Sequence, residues 1–221
     1  GDWSSDVCSS DLQYRYQFTG AASVTAVGFG QRIETINCYD LSGSTATLSV
    51  DLANSLLTTV TWTAYYANTA DAFGTLASPT KTQIATGTFT VTSTVTRYKA
   101  QIAVPAAATT GIEIVFTVGA QTSGTWVIGN VQFESGVGPT PFERKSHGQE
   151  LALCQRYYAI KTQQIVASTS PAVPVTYKVS MRAVPTIAGG GAGFTASNST
   201  VEGFDAVQTT AAAQNLTFSI E

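Results

Sequence analysis

The sequence predicts an all-β protein, in which a sandwich or barrel is followed by a short helix and a small β-rich C-terminal domain. From residue 14 to about residue 133, short runs rich in Thr and Val alternate with Gly, Asn, Asp, Ser and Pro, which is the spacing of short strands and their turns. No long helical period interrupts these runs. Charged residues are only 11% of the chain, against about 25% in an average protein, so the predicted surface is polar but largely uncharged.

The first twelve residues show no pattern of a fold. They have no apolar period of two or 3.6 residues, and they lack the basic start and apolar run of a signal peptide. With one permitted codon each, residues 2–11 back-translate into a common short-read sequencing adapter. We therefore expect an adapter-derived segment, a metagenomic origin and a natural gene that begins upstream of an assembly break. Without Asp2, Asp6 and Asp11, the 14 acidic residues of the chain become 11 and balance the 11 basic ones.

The first predicted module spans residues 13–143, and its strands follow from alternating apolar and polar residues. In residues 47–52, the two leucines and Val50 are predicted to face a core, while the polar residues between them face water. Residues 60–64 repeat this pattern. Further strands are predicted at residues 88–91, 96–104, 111–118 and 125–133, with loops at residues 68–71 and 106–110.

The second predicted domain spans residues 144–221. Two prolines and two glycines in residues 136–141 break the strand pattern and mark the boundary. A capping box at residues 146–149 predicts a helix of about three turns, in which Leu151, Cys154 and Tyr158 form one buried face that joins the two modules. Short β-like runs are predicted beyond it at residues 165–168, 175–180 and 216–220, around a flexible glycine-rich turn at residues 189–193.

Composition excludes several classes of partner. Outside residues 1–12 the net charge is zero, and Arg144 and Lys145 are the single adjacent basic pair, so the sequence predicts no nucleic-acid interface and no anionic-membrane patch. No apolar run approaches the roughly 20 residues of a membrane helix, so no membrane insertion is predicted. The distant Cys38 and Cys154 predict neither a disulfide framework nor a metal cluster. Buried free thiols are expected, with an inter-module disulfide as the alternative.

Catalysis is not predicted, and neither is a cofactor or a metal. His147 is the single histidine of the chain, and no nucleophile elbow or zinc-protease motif accompanies it. Glu113 and Glu134 are the acids that could flank a glycosidic bond if their strands met across one face. Single acids in alternating strands are more often solvated. Residues 189–193 lack the Lys and Ser or Thr that follow in a phosphate-binding loop.

Three aromatic residues are the candidates for a carbohydrate-binding site, because a ring offers a sugar a flat apolar platform with polar edges. Tyr65 lies on the threonine-bearing side of its strand and is the better platform. Trp62 shares its side with Val60 and Ala64, which favours core packing over ligand contact. Strict alternation places Trp126 and Phe133 on opposite sides of their strand, so Trp126 is either part of a second buried layer or an exposed ligand contact. Because the surface carries few charges, a neutral sugar is the expected ligand.

Five stretches of the chain resemble phage tail-fibre and related virion proteins. The most specific are residues 139–144, Pro-Thr-Pro-Phe-Glu-Arg, and residues 148–158, Gly-Gln-Glu-Leu-Ala-Leu-Cys-Gln-Arg-Tyr-Tyr; the others are residues 31–34, 125–136 and 181–186. In that group a carbohydrate-binding-module-like jelly roll is followed by such a helix and by a small C-terminal β domain. The resemblance implies a non-catalytic structural protein of the phage tail, assembled in the bacterial cytoplasm as a homotrimer and contacting host surface glycans.

The resemblance leaves two points open. Carbohydrate-binding modules of this topology often use an Asp in the last strand as a structural calcium ligand, and the matching residue here is Asn130, whose neutral amide attracts a hard cation less strongly. Calcium is therefore not predicted. The alternative function is that of a carbohydrate-binding module from a bacterial glycoside hydrolase whose catalytic domain lies upstream, and an enzyme that degrades glycans by itself would need an acid pair.

Overall fold

The computed structural model describes residues 15–75, 77–165, 172–189, 194–208 and 214–220, so the adapter-like residues 1–12 lie outside its described part. The chain divides into two compact units, Gly1–Phe142 (unit 1) and Glu143–Glu221 (unit 2). Among the described residues, no helix has both the length and the apolar character that a membrane crossing needs.

Unit 1 is a jelly-roll β-sandwich. Its strands are β1 (Arg15–Thr19), β2 (Val27–Ile33), β3 (Thr45–Asn54), β4 (Thr59–Ala67), β5 (Lys81–Thr90), β6 (Thr96–Ala103), β7 (Ile112–Val118) and β8 (Thr125–Ser135). They form two antiparallel four-stranded sheets, the first sheet in the order β1-β8-β3-β6 and the second sheet in the order β2-β7-β4-β5. The hairpin β4-β5 stays within one sheet, and every other consecutive pair of these strands crosses between sheets, as in a jelly roll. The predicted all-β fold class is confirmed.

The core of unit 1 lies between the two sheets and is built from alternate positions of each strand. Leu48, Val50 and Leu52 in β3 are all 0% exposed, as their alternation predicts. Trp62 in β4 lies against Gly87 of the neighbouring β5. A Cβ atom at Gly87 would lie 2.6 Å from Cζ2 of Trp62, so only glycine leaves room for the indole ring.

A β-bulge in β8 changes which side chains face this core. The register against β3 shifts between Ser49 and Asp51, and Asn130 has a positive φ of 47°, a conformation that Asn tolerates better than most residues. The extra residue reverses the alternation of side chains along the strand. Trp126 and Phe133 therefore both pack in the core, and the prediction that they face opposite sides is wrong.

Residues 136–140 cross the outer face of the first sheet, and we call this segment the strap. Thr47 in β3 and Gln101 in β6 donate hydrogen bonds to strap carbonyl oxygens, the first at 2.7 Å. Thr140 donates its N–H and its hydroxyl to the carboxylate of Glu134 in β8, at 2.8 and 2.6 Å. The strap is thus tied to three strands of the first sheet, and the outward-facing Thr47 is 0% exposed.

Unit 2 begins with the helix α1 (His147–Gln155). The predicted capping box is confirmed, because the Ser146 side chain accepts from the N–H of Gln149 and the Gln149 side chain accepts from the N–H of Ser146. The strands are β9 (Ala159–Ile165), β10 (Val173–Thr176), β11 (Ile187–Gly189), β12 (Phe194–Ser197), β13 (Gly203–Gln208) and β14 (Gln214–Ile220). The described residues form two three-stranded sheets, β10-β13-β12 and β11-β14-β9, and a small core contains Val175, Phe204 and Ala206.

The predicted strands of unit 2 match the structure only in part. Residues 216–220 fall inside β14, whereas the run predicted at residues 175–180 overlaps β10 only at its first two residues. Residue 165 is the last of β9, and residues 166–168 lie outside the described residues. Gly189 ends β11, and residues 190–193 of the predicted turn are also outside the described part.

The prediction of a buried helix face is wrong. Leu151 is 46% exposed and Tyr158 is 45% exposed, while Cys154, which was expected to be buried, is an exposed free thiol. Because α1 ends at Gln155, Tyr158 lies outside the helix, and α1 buries none of its residues. Helical spacing identifies a stripe of residues, but burial needs a partner surface that the spacing does not supply. Cys38 is buried and free, as expected.

Candidate functional site

The outer face of the second sheet carries the side chains that alternate with its core residues, and we call it the threonine face. Cross-strand partners in a sheet share one face, and the hydroxyl oxygens of Thr63 and Thr86 lie 3.0 Å apart on it. The face contains Gly28, Gly30 and Arg32 from β2, Glu113, Val115 and Thr117 from β7, Thr61, Thr63 and Tyr65 from β4, and Lys81, Gln83, Thr86 and Thr88 from β5.

The two sheets differ in how accessible their outer faces are. On the threonine face, Thr86, Thr88 and Thr117 are exposed, and Thr61 and Thr63 are half-buried. On the first sheet the strap lies over Thr47 of β3, and Arg97 donates to Ser49 at 2.7 Å and lies 3.3 Å from Asp51. Over the central strand β3 the outer face of the first sheet is therefore covered, whereas the threonine face carries exposed side chains on β5 and β7.

Glu113 is a buried carboxylate at the centre of a charged cluster on this face. Its side chain is only 7% exposed, and each oxygen has a cationic partner: Nε of Arg32 at 2.8 Å from Oε1, and Nζ of Lys81 on Oε2. Burial alone would raise the pKa of Glu113, but the hydrogen bonds and charges of Lys81 and Arg32 outweigh it and hold the pKa below its ordinary value. Glu113 is thus an ionised structural anchor.

Tyr65 lies beside this cluster and is half-buried. Its backbone is the register partner of Glu113 in β7 and of Gln83 in β5. The ammonium of Lys81 lies 4.2 Å from the centroid of the Tyr65 ring, a cation–π distance. One face of the ring is therefore occupied by Lys81, and a sugar can stack only on the other.

The two tryptophan candidates are not on this face. Trp126 is 0% exposed and stacks on Phe18 with their ring centroids 5.3 Å apart, and Trp62 is 7% exposed within the same core. Of the two alternatives for Trp126, the structure shows the buried one, because the bulge in β8 turns the side chain inward. Neither indole offers a ring face to a ligand, and their candidacy as carbohydrate-binding residues is withdrawn.

The candidate acid pair does not meet. Glu113 belongs to the second sheet and Glu134 to the first, and both side chains alternate with core residues, so they lie on opposite outer faces of the sandwich. Both carboxylates are also fully engaged, Glu113 by its two cations and Glu134 by Thr140 of the strap. This pair cannot flank a glycosidic bond.

Asn130, which matches a calcium-ligand position by resemblance, lies in a network that already holds a cation. Its Nδ2 donates to Oδ2 of Asp51 at 2.7 Å, and the guanidinium of Arg97 lies 3.3 Å from Oδ1 of Asp51. A fixed guanidinium beside the carboxylate opposes binding of a second cation. No group of three or more His, Cys, Asp and Glu side chains in the described residues is placed to hold a metal.

Arg32 and Lys81 are the members of this site that the sequence prediction missed. Arg32 follows Gly28 and Gly30 at alternate positions of β2, so strand parity places it on the outer side. Its partner Glu113 is 81 residues away in sequence. Only the pairing of β2 with β7 brings the two together, and no local pattern contains that information.

No family model matches the chain, and no curated protein matches it. The chain is similar to several solved structures. One is the carbohydrate-binding module CBM4, at 17% identity and a TM-score of 0.42, over 55% of this chain and 71% of that one. A second is the xylan-binding domain CBM22-2 of Xyn10C from Paenibacillus barcinonensis, at 14% identity and a TM-score of 0.34, over 55% and 88%.

A third is the enzymatically active domain of tailspike protein 4 from bacteriophage CBA120, at 22% identity and a TM-score of 0.39, over 55% of this chain and 15% of that one. The site is defined by the contacts of this chain alone.

Proposed function

We propose that unit 1 is a non-catalytic glycan-binding module and that the threonine face is its binding surface. The observation that carries the proposal is the position of Tyr65, whose ring lies beside the charged cluster of Glu113 and Lys81 on the face that also carries the exposed threonines. A sugar ring stacks its apolar side on the free face of Tyr65. The threonine hydroxyls act as both donors and acceptors for the hydroxyls of the sugar.

A shallow face of this kind binds a single glycan weakly, because it recovers little free energy beyond the ordering cost of association. Repeated display on one particle raises the apparent affinity through effective concentration. Glycan binding on a multivalent particle is therefore the arrangement that suits this site.

The test is binding to a glycan array by the intact chain and two variants. Tyr65→Ala removes the platform and is expected to weaken binding about tenfold, the equivalent of about 1.4 kcal/mol. Tyr39→Ala, which removes a tyrosine that is 62% exposed outside the threonine face, is the matched control and is expected to bind like the wild type. Circular dichroism checks that both variants fold. Equal binding by all three proteins, or none by the wild type, would refute the proposal.

We further propose that the protein belongs to a phage virion, as the resemblance at residues 139–144 and 148–158 suggests. It would then assemble in the bacterial cytoplasm as a homotrimer and recognise host surface glycans. The uninterrupted gene tests this proposal against a glycoside hydrolase. A tail-attachment region encoded upstream supports the virion, whereas a hydrolase catalytic domain contradicts it. Sedimentation of the purified protein tests the trimer, and a monomer at micromolar concentration would contradict that part.

A further inference from the structure

We propose that the threonine face selects glycans that carry a carboxylate, such as those containing uronic acids, and that Arg32 is the residue that binds this group. The inference rests on the proposed glycan-binding function and names the class of sugar. It departs from the neutral sugar that the composition of the whole chain predicts.

The charge balance of the face supports an anionic ligand. Its side chains include two cations, Arg32 and Lys81, and one anion, Glu113, and its remaining members are uncharged. One of the two positive charges balances Glu113, so the face keeps one net positive charge. The low charge content of the whole chain does not reveal this local excess. Local charge, more than the charge of the whole chain, sets the electrostatic potential that a ligand meets.

Arg32 is the cation placed to meet that ligand. Its side chain is 55% exposed, whereas that of Lys81 is only 16% exposed. The bond to Glu113 uses only Nε of Arg32, at 2.8 Å. Both terminal nitrogens of the guanidinium fork therefore keep donors, which is the geometry that binds a carboxylate through two parallel hydrogen bonds.

Arg32 is also held in position before any ligand binds. The buried Phe73 lies below the guanidinium, with 4.9 Å between Cζ of Arg32 and the ring centroid, and Glu113 fixes one edge. A side chain ordered in advance loses less conformational entropy on binding than a mobile surface arginine. Lys81 is ordered as well, but its ammonium is engaged by Glu113 and by the ring of Tyr65.

The spacing of Arg32 and Tyr65 suits a short saccharide. Arg32 of β2 is the register partner of Glu113 in β7, and Glu113 is the register partner of Tyr65 in β4. Arg32 and Tyr65 are therefore two strands apart. Neighbouring strands are about 4.8 Å apart, which separates these backbones by about 10 Å. One sugar ring can therefore stack at Tyr65 while the carboxylate of an adjacent sugar lies at Arg32.

The experiment uses an array of uronic-acid-containing bacterial polysaccharides, each printed in its native form and as its methyl ester, together with neutral polysaccharides. The wild-type chain is expected to bind at least one native form at least tenfold more strongly than its ester. Arg32→Gln is expected to remove that preference. The control Lys99→Gln removes an exposed positive charge from the first sheet and is expected to change binding less than twofold.

Salt provides a measurement that needs no variant. Raising the ionic strength is expected to weaken binding of the native forms and to leave binding of the esters unchanged, because only the former involves an ion pair. Equal binding of acid and ester forms, a preference that survives Arg32→Gln, or a preference that salt does not affect would overturn the inference and leave glycan binding standing. Binding to no polysaccharide would overturn both.

Discussion

The guanidinium of Arg32 donates a 2.8 Å hydrogen bond to the carboxylate of Glu113, its cross-strand partner in β7. We expect Glu113→Gln to lower the free energy of unfolding by about 1–3 kcal/mol, because it leaves the poorly exposed Lys81 without its counter-charge. Urea denaturation at pH 7 measures the change. An unchanged midpoint would mean that the cluster contributes nothing to stability.

The same carboxylate predicts a pH dependence. Its folded-state pKa is lower than the ordinary value of 4.5, so its ionised form stabilises the fold above that pH, and the contribution is lost as the pH falls through the folded-state pKa. The difference in stability between the wild type and Glu113→Gln is therefore expected to be full at pH 7 and to shrink below pH 4.5. A difference that grows on acidification would contradict this prediction.

Trp126 is expected to behave as a core residue. Trp126→Ala should cost about 3–5 kcal/mol, because the side chain is fully buried. Trp126→Phe should cost only about 1 kcal/mol, since a ring remains and the indole N–H, which has no hydrogen-bond partner in the described structure, is removed. Thermal melts measure both variants. Glycan binding by Trp126→Phe should equal that of the wild type, and its loss would restore Trp126 as a ligand contact.

Leu48 and Leu151 provide a matched pair of leucine truncations. Leu48 is 0% exposed in the sandwich core and Leu151 is 46% exposed on α1. Leu48→Ala is expected to cost about 2–5 kcal/mol and Leu151→Ala less than about 0.5 kcal/mol. Chemical denaturation compares the two. A cost of several kcal/mol at Leu151 would show that a partner covers the helix in solution.

The two natural cysteines are expected to differ in reactivity. Burial raises the pKa of the Cys38 thiol and shields it, whereas Cys154 is exposed. In a chain with Cys8→Ser, one thiol should react rapidly with a disulfide reagent and the other at least about 100-fold more slowly, after opening of the fold. The further change Cys154→Ser should abolish the rapid phase. Its survival would place Cys38 at the surface.

Residues 1–12 are expected to be dispensable, because their sequence has no pattern that a fold could bury. A chain that begins at Gln13 should melt within about 1 °C of the full chain, well under the shift of about 4–8 °C that 1 kcal/mol produces in a small domain. A loss of several degrees would show that the segment contributes to the fold.

The sequence was sufficient for the fold class because alternation is a local property. Leu48, Val50 and Leu52 alternate with polar residues, and all three lie in the core. It was misleading in β8, where one extra residue at the bulge reverses the alternation between Trp126 and Phe133. A bulge depends on the pairing partner as much as on the strand that carries it.

The site was only partly predictable for a related reason. Tyr65 could be placed on the threonine-bearing side by parity alone, and it lies there. Its surroundings could not be predicted, because Lys81 of β5 and Glu113 of β7 are 32 residues apart in sequence. They meet beside the Tyr65 ring only when the strands pair. The exposed helix α1 shows the same limit, since a capping box predicts where a helix begins and not what packs against it.

The strap gives unit 1 a way to respond to tension. A pull on the chain beyond Phe142 reaches residues 136–140 before it reaches the ladder between β8 and β3. The load falls first on the side-chain bonds that join the strap to Thr47, Gln101, Gln132 and Glu134, each worth about 0.5–1.5 kcal/mol. These bonds can break and re-form without the cooperative loss of the sandwich. We therefore expect the strap to detach before the sheets separate when the attached chain is stretched.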